Sequence, residues 1–437
     1  MDDVLAGAQR AVVLGAVRSG SAAAEALRRC APHVHVVLAD RRADAGEAPP
    51  GVEAVPGRDD PELLAGADLL VKSPGVPEEA AIVRAARSAG IPVWAEVELA
   101  YRLLEERNPI VGITGTNGKT TTTLLTAAML ERGGVPSASA GNVGTALSSF
   151  AGVIEPGRTI VCELSSFQLE GVEQFRAEVG VLLNVTPDHL DRHGSFEPYS
   201  RAKLRVFERQ RPGDTAVLCV DDGFVAALDD SDLPGEGRRL RVSGSELGPF
   251  EEAFAASSLR GPHNRANTAC AVAVVRALGG DETGAADALR TFAAPPHRLE
   301  LVRELRGVRY VNDSKATNVE ATLQALESFD APLHVILGGS LKGADFAPLG
   351  RPLARTASAV YLIGEAADRM AEELAPALAA GVEISKQDAL ERALESARAE
   401  AKPGEVVLLS PACASFDAFK DFEARGDRFR ELVEGRS

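Results

Sequence analysis

Short apolar runs rich in Val, Ile and Leu alternate with alanine-rich stretches along nearly the whole chain, and this alternation constrains the fold most. A strand without a polar face must be covered on both sides, which places it in a parallel sheet with helices on its two faces. The alternation predicts strands over residues 10–16, 35–40 and 68–73, with a helix running to Arg29 and another over 78–89. It restarts after Glu105-Glu106-Arg107-Asn108-Pro109, with strands over 110–114, 158–163 and 179–185 and a helix over 120–132. A third set follows Pro295-Pro296, with strands over 308–313, 333–338, 359–364 and 405–410 and a helix over 387–401. The expected fold is therefore α/β with three domains, residues 1–107, 108–296 and 297–437. The length, 437 residues, agrees at roughly 150 residues per domain.

Composition removes several functions. Lys and Arg total 47 against 63 Asp and Glu, a net charge of −16, which argues against coating nucleic acid or an anionic membrane. Aromatics are 5% and Trp94 is the sole tryptophan, too few for a base-stacking platform. The start, Met1-Asp2-Asp3-Val4, has no basic segment leading into an apolar one, so no secretory signal is expected. No apolar run approaches the roughly 18 residues of a membrane span. Five dispersed cysteines, Cys30, Cys162, Cys219, Cys270 and Cys413, suit a reducing cytoplasm better than a disulfide framework or zinc cage.

The sharpest local signal is Gly112-Ile113-Thr114-Gly115-Thr116-Asn117-Gly118-Lys119-Thr120, between a strand and a helix. Backbone N–H groups of such a turn, with the helix N-terminus, make an anion cradle. Lys119 would reach the β and γ phosphates of a nucleotide, and the Thr120 hydroxyl would ligate Mg²⁺. The usual pattern has glycine where Ile113 stands, so an ordinary strand–turn–helix junction is the plain alternative. Glu163 and Asp188, at the ends of two further strands, supply the hard oxygens Mg²⁺ prefers. His189 and His193 have the spacing of a zinc pair, but no HExxH set accompanies them, and a capping or surface role competes.

In the first domain, Gly15-Ala16-Val17-Arg18-Ser19-Gly20 follows a strand and Asp40 ends the next. Val17 stands where a dinucleotide fingerprint needs its second glycine, which disfavours a nicotinamide site. Ser73-Pro74-Gly75-Val76 is another ligand-facing turn. In the third domain, residues 312–318, 338–342 and 410–415 all follow apolar strands and should share one rim; solvated loop charge is the alternative there. Phe416, Phe419 and Phe422 fall at i, i+3 and i+6, the spacing of a helix stripe that usually belongs to a core. Cys413 has no neighbouring base and is expected to be a small buried residue.

The ordered set GITGTNGKTT, CELSSFQLE, NVTPDHLDRH, YSRAKLRVF, GPHNRANT, PPHRLE, NDSKATN and LLSPACASFDAFKDFEARG, spanning about residues 110–426, resembles the Mur ligases. The last motif is similar to that of their D-glutamate-adding branch, and no DNPR-type motif of the diaminopimelate- or lysine-adding branches is present. The resemblance implies a Rossmann-like UDP-binding domain, a central P-loop ATPase domain and a C-terminal Rossmann-like amino-acid domain. It implies a cytoplasmic, monomeric enzyme of bacterial peptidoglycan synthesis. ATP would phosphorylate the carboxylate of UDP-N-acetylmuramoyl-L-alanine, and D-glutamate would attack the acyl phosphate.

The resemblance also implies roles, residue by residue. Gly115, Thr116, Asn117, Gly118, Lys119, Thr120 and Thr121 would hold ATP, with Asn264, Asn267, Arg298 and Asp313. Lys119, Glu163, His189 and Lys203 would be catalytic. Thr120, Glu163, His189 and Lys203, the last carbamoylated, would place Mg²⁺ ions, two in number. Asp40, Arg41, Ser73, Gly75, Asn142, Gly144, Ser165 and Gln168 would hold the UDP-sugar substrate. Lys315 and Thr317 would line the adjoining rim, and Lys342, Ser415, Phe416 and Phe422 would bind D-glutamate. Rival readings are a folylpolyglutamate-synthetase-like ligase, which needs no UDP domain, a nicotinamide-dependent oxidoreductase and a P-loop switch protein without chemistry.

Overall fold

The computed structural model describes residues 3–43, 48–104, 108–142, 144–293, 295–341, 344–378 and 381–435. They form three sheets. The first contains β1 (Arg10–Leu14), β2 (His35–Asp40), β3 (Glu53–Pro56), β4 (Leu69–Lys72) and β5 (Val93–Ala95), in the order β3-β2-β1-β4-β5 and parallel throughout. The second contains β6 (Ile110–Thr114), β7 (Ser137–Gly141), β8 (Thr159–Glu163), β9 (Val179–Leu182), β10 (Thr215–Cys219) and β11 (Arg238–Val242). Its order is β11-β10-β9-β6-β8-β7, again parallel. The third contains β12 (Glu300–Leu305), β13 (Val308–Asn312), β14 (Leu333–Gly338), β15 (Ala357–Ile363), β16 (Glu383–Lys386) and β17 (Val406–Leu409). Its order is β12-β13-β17-β14-β15-β16, parallel except for the β12–β13 hairpin.

The expectation of parallel sheets buried on both faces is met by alternation along each strand. In β1, Ala11 and Val13 pack with Trp94 and Leu99, while Val12 and Leu14 pack with Ile82 and Val83 on the opposite face. In the third sheet, Val335, Leu337, Val406 and Leu408 point to one core, and Ile336, Val407 and Leu409 to the other. Each face removes apolar area from water, roughly 25 cal/mol per Å².

The chain packs into two compact units, residues 1–257 with 266–292, and residues 258–265 with 293–437. The first two sheets therefore share one unit. The buried carboxylate of Glu98, on the helix Glu96–Leu104, accepts from the N–H groups of Glu173, Gln174 and Phe175 and from Arg102. Arg29, from the helix Arg18–Cys30, donates to Ala151 O at 2.7 Å. These bonds place backbone donors and a buried anion together, which satisfies both. Residues 258–265, placed in the central stretch by the sequence pattern, pack with the second unit.

One sequence expectation is corrected. Phe416 and Phe419 are not helical; they lie in turns, and the helix starts at Phe422. Asp421 caps that helix by accepting from Ala424 N–H, and Phe419 N–H donates to Ser415 O. The N-cap at Asp421 fixes the start where the aromatic spacing alone did not. Phe416 is 67% exposed, whereas Phe419 packs against a core.

Candidate active site at the strand ends of the second sheet

Strand β6 delivers the chain into the turn 115–118, and the helix Lys119–Arg132 follows. Gly118 takes φ +82, and a Cβ there would stand 2.4 Å from Asn267 Oδ1, so only glycine fits between turn and helix. The helix begins without a side-chain cap, leaving its first N–H groups directed at the turn. Asn117 N–H donates to Asn184 Oδ1 at 2.8 Å, and the Thr116 hydroxyl meets Tyr199 OH at 2.9 Å. Neither Asn184 nor Tyr199 was singled out from sequence. Both bonds tie the turn to the segment after β9 and to the helix Phe196–Leu204. Thr121 is buried behind the turn.

Lys119 Nζ donates to the carbonyls of Gly115 and Thr116, at 2.9 and 2.7 Å. Lys203 Nζ donates to the same Gly115 oxygen at 2.6 Å and lies 4.6 Å from the centre of the Tyr199 ring. Lys203 is buried, and burial pushes its amine well below the ordinary lysine range. The Lys119 charge acts in the same direction, while Asp188 and Glu163 oppose it. Thr120 Oγ1 donates to Glu163 Oε2 at 2.8 Å, and Asn142 Nδ2 to Glu163 Oε1 at 3.1 Å. The parallel pairing of β6 with β8 and of β8 with β7 puts these three residues at one strand-end rim. Gly144, at φ +57, follows in the loop after Asn142.

Two expected substrate contacts are engaged locally. Ser165 and Gln168 form a capping box on the helix Ser166–Glu170, Gln168 Oε1 accepting from Ser165 N–H at 2.9 Å. His189, at φ +53, opens the short helix Leu190–His193, its ring 4.9 Å from that of Phe167. His193 is not its metal partner: its ring nitrogens meet Ser166 Oγ and Glu170. Among the described residues, no group of three or more His, Cys, Asp or Glu is placed to hold a metal ion. The hard oxygens on this rim are the Thr120 hydroxyl and the Glu163 carboxylate, of the kind that suits Mg²⁺.

At the first sheet's rim, Asp40 accepts from Ala16 N–H at 2.8 Å and is gripped by Arg42 through Nε and Nη2, each at 3.1 Å. The Arg42 side chain holds the Asp40 carboxyl below its usual range, against the opposing effect of burial. Arg41 and Arg42 are both exposed, and it is Arg42, not singled out from sequence, whose guanidinium meets Asp40. Ser73 Oγ donates to Gly15 O at 3.2 Å, and Gly75 is exposed in the next turn.

In the second unit, β13, β17 and β14 are neighbours, so their C-terminal loops do share a rim. Asp313 is buried and accepts from Ser410 Oγ at 2.8 Å and from Leu299 N–H at 3.2 Å. Burial pushes its carboxyl up to about 7, against those bonds and the charges of Arg298 and Arg425. Lys315 Nζ sits 3.6 Å from the centre of the Phe422 ring, and Thr317 N–H donates to Lys315 O. Ser415 is buried at the base of the turn that exposes Phe416. Arg425, quoted in a motif but given no role, sends its guanidinium to Ser314, Cys413 and Ala414 and so binds two of the loops together. Asn264 donates to Arg260 O. Lys342 lies outside the described residues.

Two family models match, the Mur ligase middle domain over residues 113–275 and the Mur ligase glutamate ligase domain over residues 297–413. A UDP-N-acetylmuramoylalanine–D-glutamate ligase of Solibacter usitatus is 42% identical, covering 98% of both chains. One of Pelotomaculum thermopropionicum is 45% identical over 84% of this chain and 83% of that one. In fold, the chain is similar to the MurF ligase of Thermotoga maritima in complex with ADP, with TM-score 0.60, 18% identity and full coverage of both chains. FolC of E. coli in complex with ADP, without folate substrate, gives a TM-score of 0.56, with 18% identity, over 78% of this chain and 93% of its own. A chain so similar to these relatives over its whole length, with the glycine turn, Lys119 and Glu163 on one parallel rim, belongs to the Mur ligase family.

Proposed function

We propose that this chain is an ATP-dependent ligase that joins D-glutamate to the alanyl carboxylate of UDP-N-acetylmuramoyl-L-alanine in bacterial cytoplasmic peptidoglycan synthesis. The observation that carries this reading is the convergence of Lys119, Thr120, Glu163 and Lys203 around the Gly115–Gly118 turn. It occurs in a chain 42% identical, end to end, to a relative of that name. A carboxylate is a poor electrophile, and phosphorylation gives it a leaving group. Catalysis then rests on position and charge neutralisation.

The turn amides, the uncapped helix N-terminus and Lys119 would bind the ATP phosphates, with Asn264, Asn267, Arg298 and Asp313 at the nucleotide. Mg²⁺, two ions in this reading, would neutralise phosphoryl charge. Thr120, Glu163 and His189 would hold it. Lys203 fits only when modified: an ammonium would repel the cation, whereas a carbamate offers hard oxygens. Its buried amine, favouring the neutral form, supports that modification.

Asp40, Arg41, Ser73, Gly75, Asn142 and Gly144 would orient the UDP-sugar, with Arg42 now added because it fixes Asp40. Ser165 and Gln168 would act at its acyl end while shaping their helix. Lys315, Thr317, Lys342, Ser415, Phe416 and Phe422 would receive D-glutamate. In this reading residues 1–107 would take chiefly the UDP-sugar, 108–296 ATP and 297–437 the amino acid, with Asn142, Gly144, Ser165 and Gln168 also serving the UDP-sugar and Arg298 and Asp313 the nucleotide. The enzyme would act as a monomer; among the described residues no helix is long and apolar enough to cross a membrane.

The test is direct. ATP, Mg²⁺ and UDP-N-acetylmuramoyl-L-alanine are mixed with one amino acid at a time. Phosphate release and product mass should both depend on D-glutamate. Release with folate and L-glutamate would favour the folylpolyglutamate-type rival, and release without D-glutamate preference would overturn the substrate assignment.

A further inference from the structure

The turn Ser73-Pro74-Gly75-Val76 is held from behind by two cations that the mechanism above does not use. Arg192, on the short helix that follows His189, donates through Nη1 to Pro74 O at 2.8 Å and through Nη2 to Val76 O at 3.2 Å. Lys72, buried at the end of β4, sends Nζ to Val76 O at 3.4 Å and pairs with Glu78 at 2.8 Å, itself paired with Arg87. The Arg192 guanidinium lies 4.0 Å from the centre of the Phe167 ring and 3.6 Å from Glu170. Phe167 also carries the rings of His189 at 4.9 Å and His193 at 5.3 Å, the latter stacked at 11°.

Two consequences follow. The Pro74 and Val76 carbonyls are taken up on the protein side, and Gly75 between them is exposed, with nothing within 4 Å of where a Cβ would stand. The turn is thus fixed with Gly75 open to a ligand. Further, one four-residue helix carries the Arg192 clamp and directly follows His189, so the first sheet's turn and the second sheet's site are joined through a single stacked side chain. Arginine suits this position because its planar fork serves two carbonyls while its face stacks on a ring; lysine offers one point charge.

We propose that Arg192 is a positioning residue for the nucleotide-sugar substrate, holding the Ser73–Val76 turn in register with the His189 segment, with Lys72 as its second anchor. This rests on the reading that a UDP-sugar binds at the first sheet's rim. Arg192→Lys and Arg192→Gln are assayed with each substrate varied in turn, and binding of UDP-N-acetylmuramoyl-L-alanine is followed by calorimetry.

The Michaelis constant for the UDP-sugar should rise at least tenfold in Arg192→Gln and by less in Arg192→Lys, with that for ATP within twofold of the parent. Equal rises for both substrates, or an unchanged constant for the UDP-sugar, would overturn the proposal. Unfolding of both variants would also overturn it, because the residue would then be structural. A parent enzyme with no UDP-sugar-dependent phosphate release would sink the functional reading instead, which separates the two failures.

Discussion

Lys119 and Lys203, 84 positions apart in sequence, donate to one acceptor, the carbonyl oxygen of Gly115, at 2.9 and 2.6 Å. Two ammonium groups on one oxygen repel each other, and only one of them is deeply buried. The strain falls on Lys203, whose charged form loses hydration and faces Lys119. The pair thus sets a partly exposed lysine beside a buried one whose amine is pushed toward its neutral form.

Lys119→Ala should lower kcat by about two to three orders of magnitude, the scale for losing one preorganised charge at a transferring phosphoryl group. Steady-state assays at saturating ATP check this. Near-normal turnover would remove the P-loop role.

Lys203→Met should abolish turnover with the fold retained by circular dichroism, because methionine fills the buried space without a charge and cannot take up carbon dioxide. Protein equilibrated with ¹³C-labelled bicarbonate should show a carbamate carbon resonance that the variant lacks. The same resonance in both proteins would place the modification elsewhere.

Asp313 links stability to pH. Its folded carboxyl titrates at about 7 against an ordinary value of 3.8, so the folded state binds more protons than the unfolded one between those values. Unfolding free energy should therefore fall as pH rises from about 4 to 7, by an amount on the order of a few kcal/mol. Asp313→Asn should flatten that slope in urea titrations and cut activity. A variant with the parental slope would show that another group is responsible.

Lys342→Ala should raise the Michaelis constant for D-glutamate more than that for ATP. Phe416→Ala should do likewise and leave the unfolding free energy within about 0.5 kcal/mol, since the ring is largely exposed. The opposite ranking of the two constants would take either residue out of the amino-acid site.

Much was legible from local pattern. Most core strands followed from hydrophobic alternation, although the buried interior strand Thr215–Cys219 and the strands Val93–Ala95 and Ser137–Gly141 did not. The turn before Lys119 was marked by its glycines and the strand ahead of it. Edge strands were harder to see. Residues 53–56 and 383–386 lack an apolar run because their side chains meet solvent, and the antiparallel β12 is half polar for the same reason. The helix expected at Phe416 failed because aromatic spacing carries no information about capping, which Asp421 decides.

The sequence by itself determined three α/β stretches, the glycine-bounded phosphate turn and the family, because these are written in residues close together along the chain. Tertiary structure alone decided that Lys203 lies buried on the Gly115 carbonyl and that Arg192 reaches the turn at Gly75. Those contacts join residues up to 118 positions apart. Their energies depend on burial and on charges that meet only after the chain has packed, so no local pattern records them.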